Sequence, residues 1–399
     1  MANYTEDVRS SAGCADQRHG GVWSALAALA CLAGCAAPQP PDGGDCVLSA
    51  PVACEKLTAT QLGSRPRVVF DTDAQFRGDP TTSRPREQGA LGDQYALMYL
   101  LFRSDLLQMV AATTANVNDT SIDNQVSEVQ RVAALCGSPD LPIKRGAKGV
   151  YADLKDHVDE PGFDGAEAVN TIINAARRAT TEDRLAIVLG TKATNVALAL
   201  TKDPSIAPKI VVYWTATNQP GADAPGSRRG GSGLYNIAKD PDAANYLLAA
   251  PVELHLMQLW EGECCDVTQP RFTDAAPGLS IKGAADLPCT GPRVAPVTFP
   301  DDNQFWTAGA YASAIFTTYS GQGWRAMDEA SMAVLLAHPE LAGDTVIPAP
   351  SYDGTQMIYP ETSDHQVHVY DVMQAARIER EFLDTLATPF VSCEWSQTK

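Results

Sequence analysis

Short apolar runs that end in aspartate, threonine or asparagine, separated by helix-like stretches, constrain this chain more than any other feature. Arg67-Val68-Val69-Phe70 enters Asp71-Thr72-Asp73, and Leu107 to Ala112 enters Thr113-Thr114-Ala115-Asn116-Val117-Asn118. Leu185 to Leu189, Ile210 to Trp214 and Val252 to Leu256 also read as strands. Tyr95 to Phe102, Asn124 to Leu135, Ala193 to Leu200 and Asp240 to Ala249 read as helices. Such alternation predicts an α/β fold, a Rossmann-like, mostly parallel sheet flanked by helices on both faces. Ligands of such sheets bind beyond the carboxyl ends of the strands, where these oxygen-bearing residues stand. One aspartate at a strand end is more often a helix cap. Several strand ends carrying such residues point to a shared site.

The glycine patterns exclude the commonest nucleotide sites. No GxGxxG follows the first strand and no GxxxxGK[ST] occurs; Arg228-Arg229-Gly230-Gly231-Ser232-Gly233 fits neither. No GxSxG elbow is present. The formal charge of −18 and pI near 4.7 oppose binding to phosphate backbones, so no nucleic-acid partner is expected. Such a surface suits cations and neutral small molecules.

The first 65 residues read as targeting and tether. Val22 to Leu32 is too short to span a bilayer but long enough for a signal-peptide core. It ends in Leu32-Ala33-Gly34-Cys35, which looks like a bacterial lipobox with Cys35 as the lipidated residue. A plain secretory signal cleaved nearby is the alternative. The predicted organisation is a lipoprotein signal over residues 1–35, a Pro/Gly-rich tether over 36–65 and one α/β domain over 66–399. The expected location is the bacterial cell envelope, with membrane contact only through the lipid. Ten cysteines fit an oxidising compartment with some disulfides. Cys136, in VAALCG, reads instead as a helix-packing thiol.

The stretches RVVFDTD, GDQYALMYLL and VAATTANVND resemble the opening of the inosine-uridine preferring nucleoside hydrolase family, with its DTDxGxDDxxA and TTxxGN motifs. VLGTKATNVALAL resembles that family's LGPLTNIALAL, LYNIAKDPDAANYLL its EFNIxxDPEAAxxV, and MDEASMAVLLAHPEL its HDPxAVAxxxDP. The resemblance runs in order from Arg67 to Thr388 and closes on a strand-then-helix tail. It implies a nucleoside hydrolase fold, a Ca²⁺ cofactor, and hydrolysis of the N-glycosidic bond of ribonucleosides or related N-glycosides. By motif position it implies Asp73 as general base and metal ligand, Asp93 and Asp328 as further carboxylate ligands, and Gly190 or Thr191 as the carbonyl ligand. Asn118 and Asn236 match the residues that bind ribose hydroxyls, and Asp71 supports the site from behind. A homo-oligomer is compatible with the family.

This chain departs from the family pattern at three places. Gly92 replaces the first of two paired aspartates, Leu234 a glutamate, and Met327 a histidine. The loop from Ala74 to Gly92 is long and carries Asp79, Arg84, Arg86 and Glu87. These departures keep a second reading alive, a weak or inactive calcium-containing lipoprotein that binds a sugar or nucleoside. His365 and His368, three apart, would face opposite ways on a strand, so packed or solvent-facing roles are expected for both rather than a shared metal.

Overall fold

The computed structural model describes residues 65–74, 91–116, 121–217, 235–258, 294–299, 304–312 and 328–390, all within the unit Gly43–Lys399. Cys35 and Asn118 lie outside these residues, as do Leu234 and Met327. In chain order the elements begin with β1 (Arg67–Thr72), α1 (Leu91–Phe102), β2 (Gln108–Thr114), α2 (Ile122–Leu135), β3 (Ile143–Lys144) and α3 (Tyr151–Leu154). They continue with α4 (Ala166–Arg177), β4 (Leu185–Leu189), α5 (Thr194–Lys202), β5 (Ile210–Thr217), α6 (Tyr235–Ala238), α7 (Pro241–Ala249) and β6 (Glu253–Gln258). The last are β7 (Val297–Thr298), β8 (Gln304–Phe305), α8 (Asp328–Ala337), β9 (Ala342–Pro348), β10 (Ser351–Tyr352), β11 (Met357–Ile358), β12 (Gln366–Met373) and α9 (Ala375–Ala387).

The main sheet has the order β3-β2-β1-β4-β5-β6-β12-β9. Every neighbouring pair is parallel except β12 with β9, an antiparallel edge. The chain lays down β1 first, adds β2 and β3 on one side, then returns to add β4 on the other. The gap between β1 and β4 is therefore the topological switch point, where open α/β sheets form their binding crevice.

Period-two alternation sends side chains to two separate cores. From β1, Val68 and Phe70 join one core with Tyr95, Tyr99, Val334 and Phe382 of α1, α8 and α9. Val69, Leu185, Ile187 and Leu189 join the other with Ile172, Val196 and Leu247 of α4, α5 and α7. Both faces being covered, the central strands are nearly continuous apolar runs.

The observed strands extend past the apolar runs that reveal them. β1 continues to Thr72, β2 to Thr114 and β5 to Thr217. The ladder needs only main-chain groups, so polar residues at the carboxyl ends stay in register. Thr113 pairs with Asp71 and Thr114 with Thr72. Helices start where capping permits. Ser121 accepts a hydrogen bond from the Asp123 N–H ahead of α2, and Asp240 caps α7 from outside it. Helix α4 is not anticipated by the apolar runs above, because its exposed face is fully polar and only a stripe from Ala168 to Ala176 is buried. Cys136 is a buried free thiol at the C-cap of α2. The other cysteines, and with them the expected disulfides, lie outside the described residues.

Candidate active site

Asp71 sits in the penultimate position of β1, fully buried. Its main-chain carbonyl accepts from the Gly190 N–H at 2.9 Å, tying the end of β1 to the end of β4. Its Oδ1 accepts from Thr113 Oγ1 at 2.7 Å and from Asn195 Nδ2 at 2.9 Å. Burial raises the Asp71 carboxyl to about 6, against the pull of those two donors and of the Lys192 charge. Asp71 is thus bound into the sheet and α5 by its neighbours.

Asp73 follows just beyond β1 and is also buried. The chain turns here: the Ala74 N–H donates to Thr72 Oγ1 at 3.0 Å, and the Thr72 carbonyl accepts from Ala115 N–H at 3.0 Å. Asp93 comes from the first turn of α1 and is fully buried. Its position is marked by Gly190. A β-carbon added at Gly190 would lie 2.4 Å from Asp93 Oδ1 and 3.0 Å from Glu329 Cγ. Only a residue without a side chain lets the β4 terminus approach both acids.

Asp328 is the first residue of α8, so this helix begins at the site. Its neighbour Glu329 is buried, and its Cγ is what a β-carbon at Gly190 would meet at 3.0 Å. Glu329 was not among the residues expected from the family motif, where attention falls on the aspartate; an adjacent second acid was the available signal.

Asn195 and Lys192 were also missed as site residues. Asn195, in the first turn of α5, donates through Nδ2 to Asp71 Oδ1 and to the Thr114 carbonyl, both at 2.9 Å, and accepts from Ala147 N–H at 2.9 Å. It thereby joins β1, β2 and the segment after β3. The packing is tight enough that a β-carbon at Gly146 would meet the Thr114 carbonyl oxygen at 1.8 Å. Lys192 is buried and donates to the Gly149 carbonyl at 2.7 Å. Burial pushes its amine down, opposed by Asp240, Asp164, Asp71 and Asp73.

The two carbonyl candidates have different surroundings. Thr191 O accepts from the buried indole Nε1 of Trp214 at 2.9 Å. Gly190 O instead faces Asn236, whose Nδ2 stands 3.4 Å away and donates to the Thr215 carbonyl at 2.9 Å. Asn236, the second residue of α6, lies next to the ends of β4 and β5 and is buried. Asp71, Asp73, Asp93, Gly190, Asn236 and the start of α8 therefore come from separate parts of the chain to the carboxyl ends of β1, β4 and β5.

This cluster of carboxylates and carbonyls has the hard-oxygen character that calcium prefers. The glycine cradle at position 190, holding two acids against one strand end, fits such an ion.

The profile of the family described as inosine-uridine preferring nucleoside hydrolase matches residues 87–380. Among solved structures, a plant nucleoside hydrolase aligns at 16% identity with a TM-score of 0.55, covering 81% of this chain and 99% of its own. An inosine-uridine preferring nucleoside hydrolase from Bacillus anthracis aligns at 15% identity and TM-score 0.54, with coverage of 81% and 99%. A purine-preferring ribonucleoside hydrolase from Gardnerella vaginalis gives 17%, 0.53, 81% and 99%. At these identities the likeness is one of fold. No curated protein matches the sequence.

Proposed function

Because this chain belongs to the inosine-uridine preferring nucleoside hydrolase family, we propose that it hydrolyses the N-glycosidic bond of ribonucleosides or closely related N-glycosides in a calcium-dependent reaction. The observation that carries this reading is the approach of Asp93 and Glu329 to Gly190 at the β1–β4 switch point, beside buried Asp73. Asp73, Asp93, Asp328 and the Gly190 carbonyl are the residues that would hold the ion. When bound, calcium supplies a Lewis acid that orients the ribose hydroxyls and lowers the pKa of water.

Asp73 accepts the proton of the water that attacks the anomeric carbon. Positive charge grows on the sugar as the bond to the base lengthens, and the surrounding carboxylates stabilise it. Asn118 and Asn236 orient the ribose. Asp71 and Asn195 hold the β1 terminus that positions Asp73. Met327 has no proton to donate to the departing base, so substrates with electron-poor leaving groups react fastest.

In this reading the domain works in the bacterial cell envelope, tethered through a lipid on Cys35. The Leu32-Ala33-Gly34-Cys35 sequence supports the anchor. Among the described residues no helix is long and apolar enough to cross a membrane.

The second reading, a calcium-containing binding protein, is favoured by Gly92, Leu234 and Met327, which remove polar groups of the family pattern. One experiment separates the two. The full chain is incubated with calcium and p-nitrophenyl riboside, with and without a chelator. Chelator-sensitive release of p-nitrophenol is expected. Calcium and ribose binding with no release above background refutes the hydrolase and leaves the binding protein.

A further inference from the structure

Away from the strand-end acids, β5, β6 and β12 present a ladder of aromatic rings on one face of the sheet. Tyr213 pairs in register with His255, and His255 with His368. Their rings stack, with centroids 4.7 Å apart for Tyr213–His255 and 4.4 Å for His255–His368. Asp344 of β9 borders the stack, its Oδ2 hydrogen-bonded to His368 Nδ1. One ligand atom from each of His255, His368 and Asp344 lies within 4.8 Å of the others. His365 lies just before β12, which starts at Gln366, and it is the neighbouring strand that brings His255 to His368.

His255 is arranged as a ligand. Its Nε2 lies 3.1 Å from Glu253 Oε1, and Arg184 donates to Glu253 Oε2 at 2.7 Å. A carboxylate so anchored keeps the imidazole proton on Nε2 and the lone pair on Nδ1. That Nδ1 is buried and makes no hydrogen bond. Metal-binding histidines characteristically donate their other nitrogen to a carboxylate in this way.

We propose that His255, His368 and Asp344 form a second metal site, selective for a transition ion of the zinc class over calcium. Two imidazoles and one carboxylate suit zinc, cobalt or copper, whereas calcium prefers an all-oxygen shell. The site spans β6, β12 and β9, two to four strands across from β4, roughly 10–20 Å at the usual strand spacing. The ion enters in place of the hydrogen bond between His368 and Asp344. Lone pairs of parallel rings do not converge, so His368 turns out of the stack to bind. Its side chain is 31% exposed and that of Asp344 39%, which leaves room to turn and a water-facing side for remaining ligands.

The test titrates the full chain, free of any polyhistidine tag, with Co²⁺ and with Zn²⁺ while calcium is saturating. One Co²⁺ is expected to bind with visible d–d absorption and without near-ultraviolet thiolate bands, and Zn²⁺ should displace it. Glu253→Gln should weaken binding about 10–100-fold, as loss of an outer carboxylate partner does elsewhere, and His368→Gln at least as much. Calcium binding should be unchanged in both. Absence of Co²⁺ binding by the wild type, thiolate bands in its spectrum, or unaltered affinity in both His368→Gln and Asp344→Asn overturns the proposal. Asp344 lies on an exposed edge strand, so its variant tests the site without disturbing the buried stack.

Discussion

Gly190 and Asp93 meet so closely that a β-carbon on the first would stand 2.4 Å from a carboxylate oxygen of the second. The contact joins the last turn out of β4 to the first turn of α1 across the switch point. Gly190→Ala must displace Asp93, Glu329 or the strand end. Overpacking of this kind costs about 1–3 kcal/mol. The expected outcome is a lower Tm and a smaller rise in Tm on adding calcium, since the ligands no longer converge. An alanine variant with wild-type Tm and wild-type calcium response contradicts the geometry.

Asp73→Asn keeps the shape of the side chain and removes the base. Turnover of p-nitrophenyl riboside should fall by about 10²–10⁴-fold, the range for loss of a general base. Ribose binding should survive in part. Equal loss of binding and turnover, measured by isothermal calorimetry beside the rate assay, assigns Asp73 to binding alone.

Asn195→Ala removes one side chain that satisfies three groups. The Ala147 N–H and the Thr114 carbonyl lose a partner, and Asp71 loses one of its two donors. Each buried group left unsatisfied costs about 1–3 kcal/mol. Urea unfolding should show a fall in stability of at least about 2 kcal/mol by the same scale. A change below about 0.5 kcal/mol, typical of surface sites, is the outcome that sinks the role given to Asn195.

Glu128 makes stability depend on pH. It is fully buried in α2, hydrogen-bonded by Tyr311 and by Gln94 at 3.4 Å. Burial raises its pKa above 4.5, while Tyr311, Arg131 and Gln94 lower it. The folded state therefore holds the proton more tightly than the unfolded one. Its contribution is complete below pH 4.5 and is lost as pH rises through the raised value. Glu128→Gln cannot ionise, so the difference in Tm between variant and wild type should grow in the variant's favour from pH 4.5 upward. A difference independent of pH is the contrary result.

Cys35→Ala tests the anchor. The variant should leave the membrane fraction or accumulate unprocessed, since acyl chains are the proposed attachment. Unchanged fractionation, followed by immunoblot, excludes lipidation at Cys35.

Much of this protein could be read along the chain. The apolar runs locate β1, β2, β4, β5 and β6, because strands buried on both faces must be apolar whatever they pack against. Asp71, Asp73 and Asp93 stand out because they sit at the ends of such runs or in a motif that the family shares. Helix α4 carries a helical stripe at Ala168, Val169, Ile172, Ile173 and Ala176 that a search for continuous apolar runs passes over, whereas the role of Asn195 shows only once β1, β2 and the segment after β3 are packed beside it.

The sequence by itself determined the alternation of strand and helix and the acidic strand ends, which depend on neighbours within a few residues, and the family, which shows in motifs that keep their order along the chain. Tertiary structure decided the rest. It placed Glu329 against Gly190, turned Asn195 toward Asp71, gave the Thr191 carbonyl to Trp214 and left that of Gly190 to Asn236, and matched His368 with His255. Periodicity specifies which side of an element a residue occupies. Only the crossing of the chain between strands, and the register it sets, specifies what that side meets.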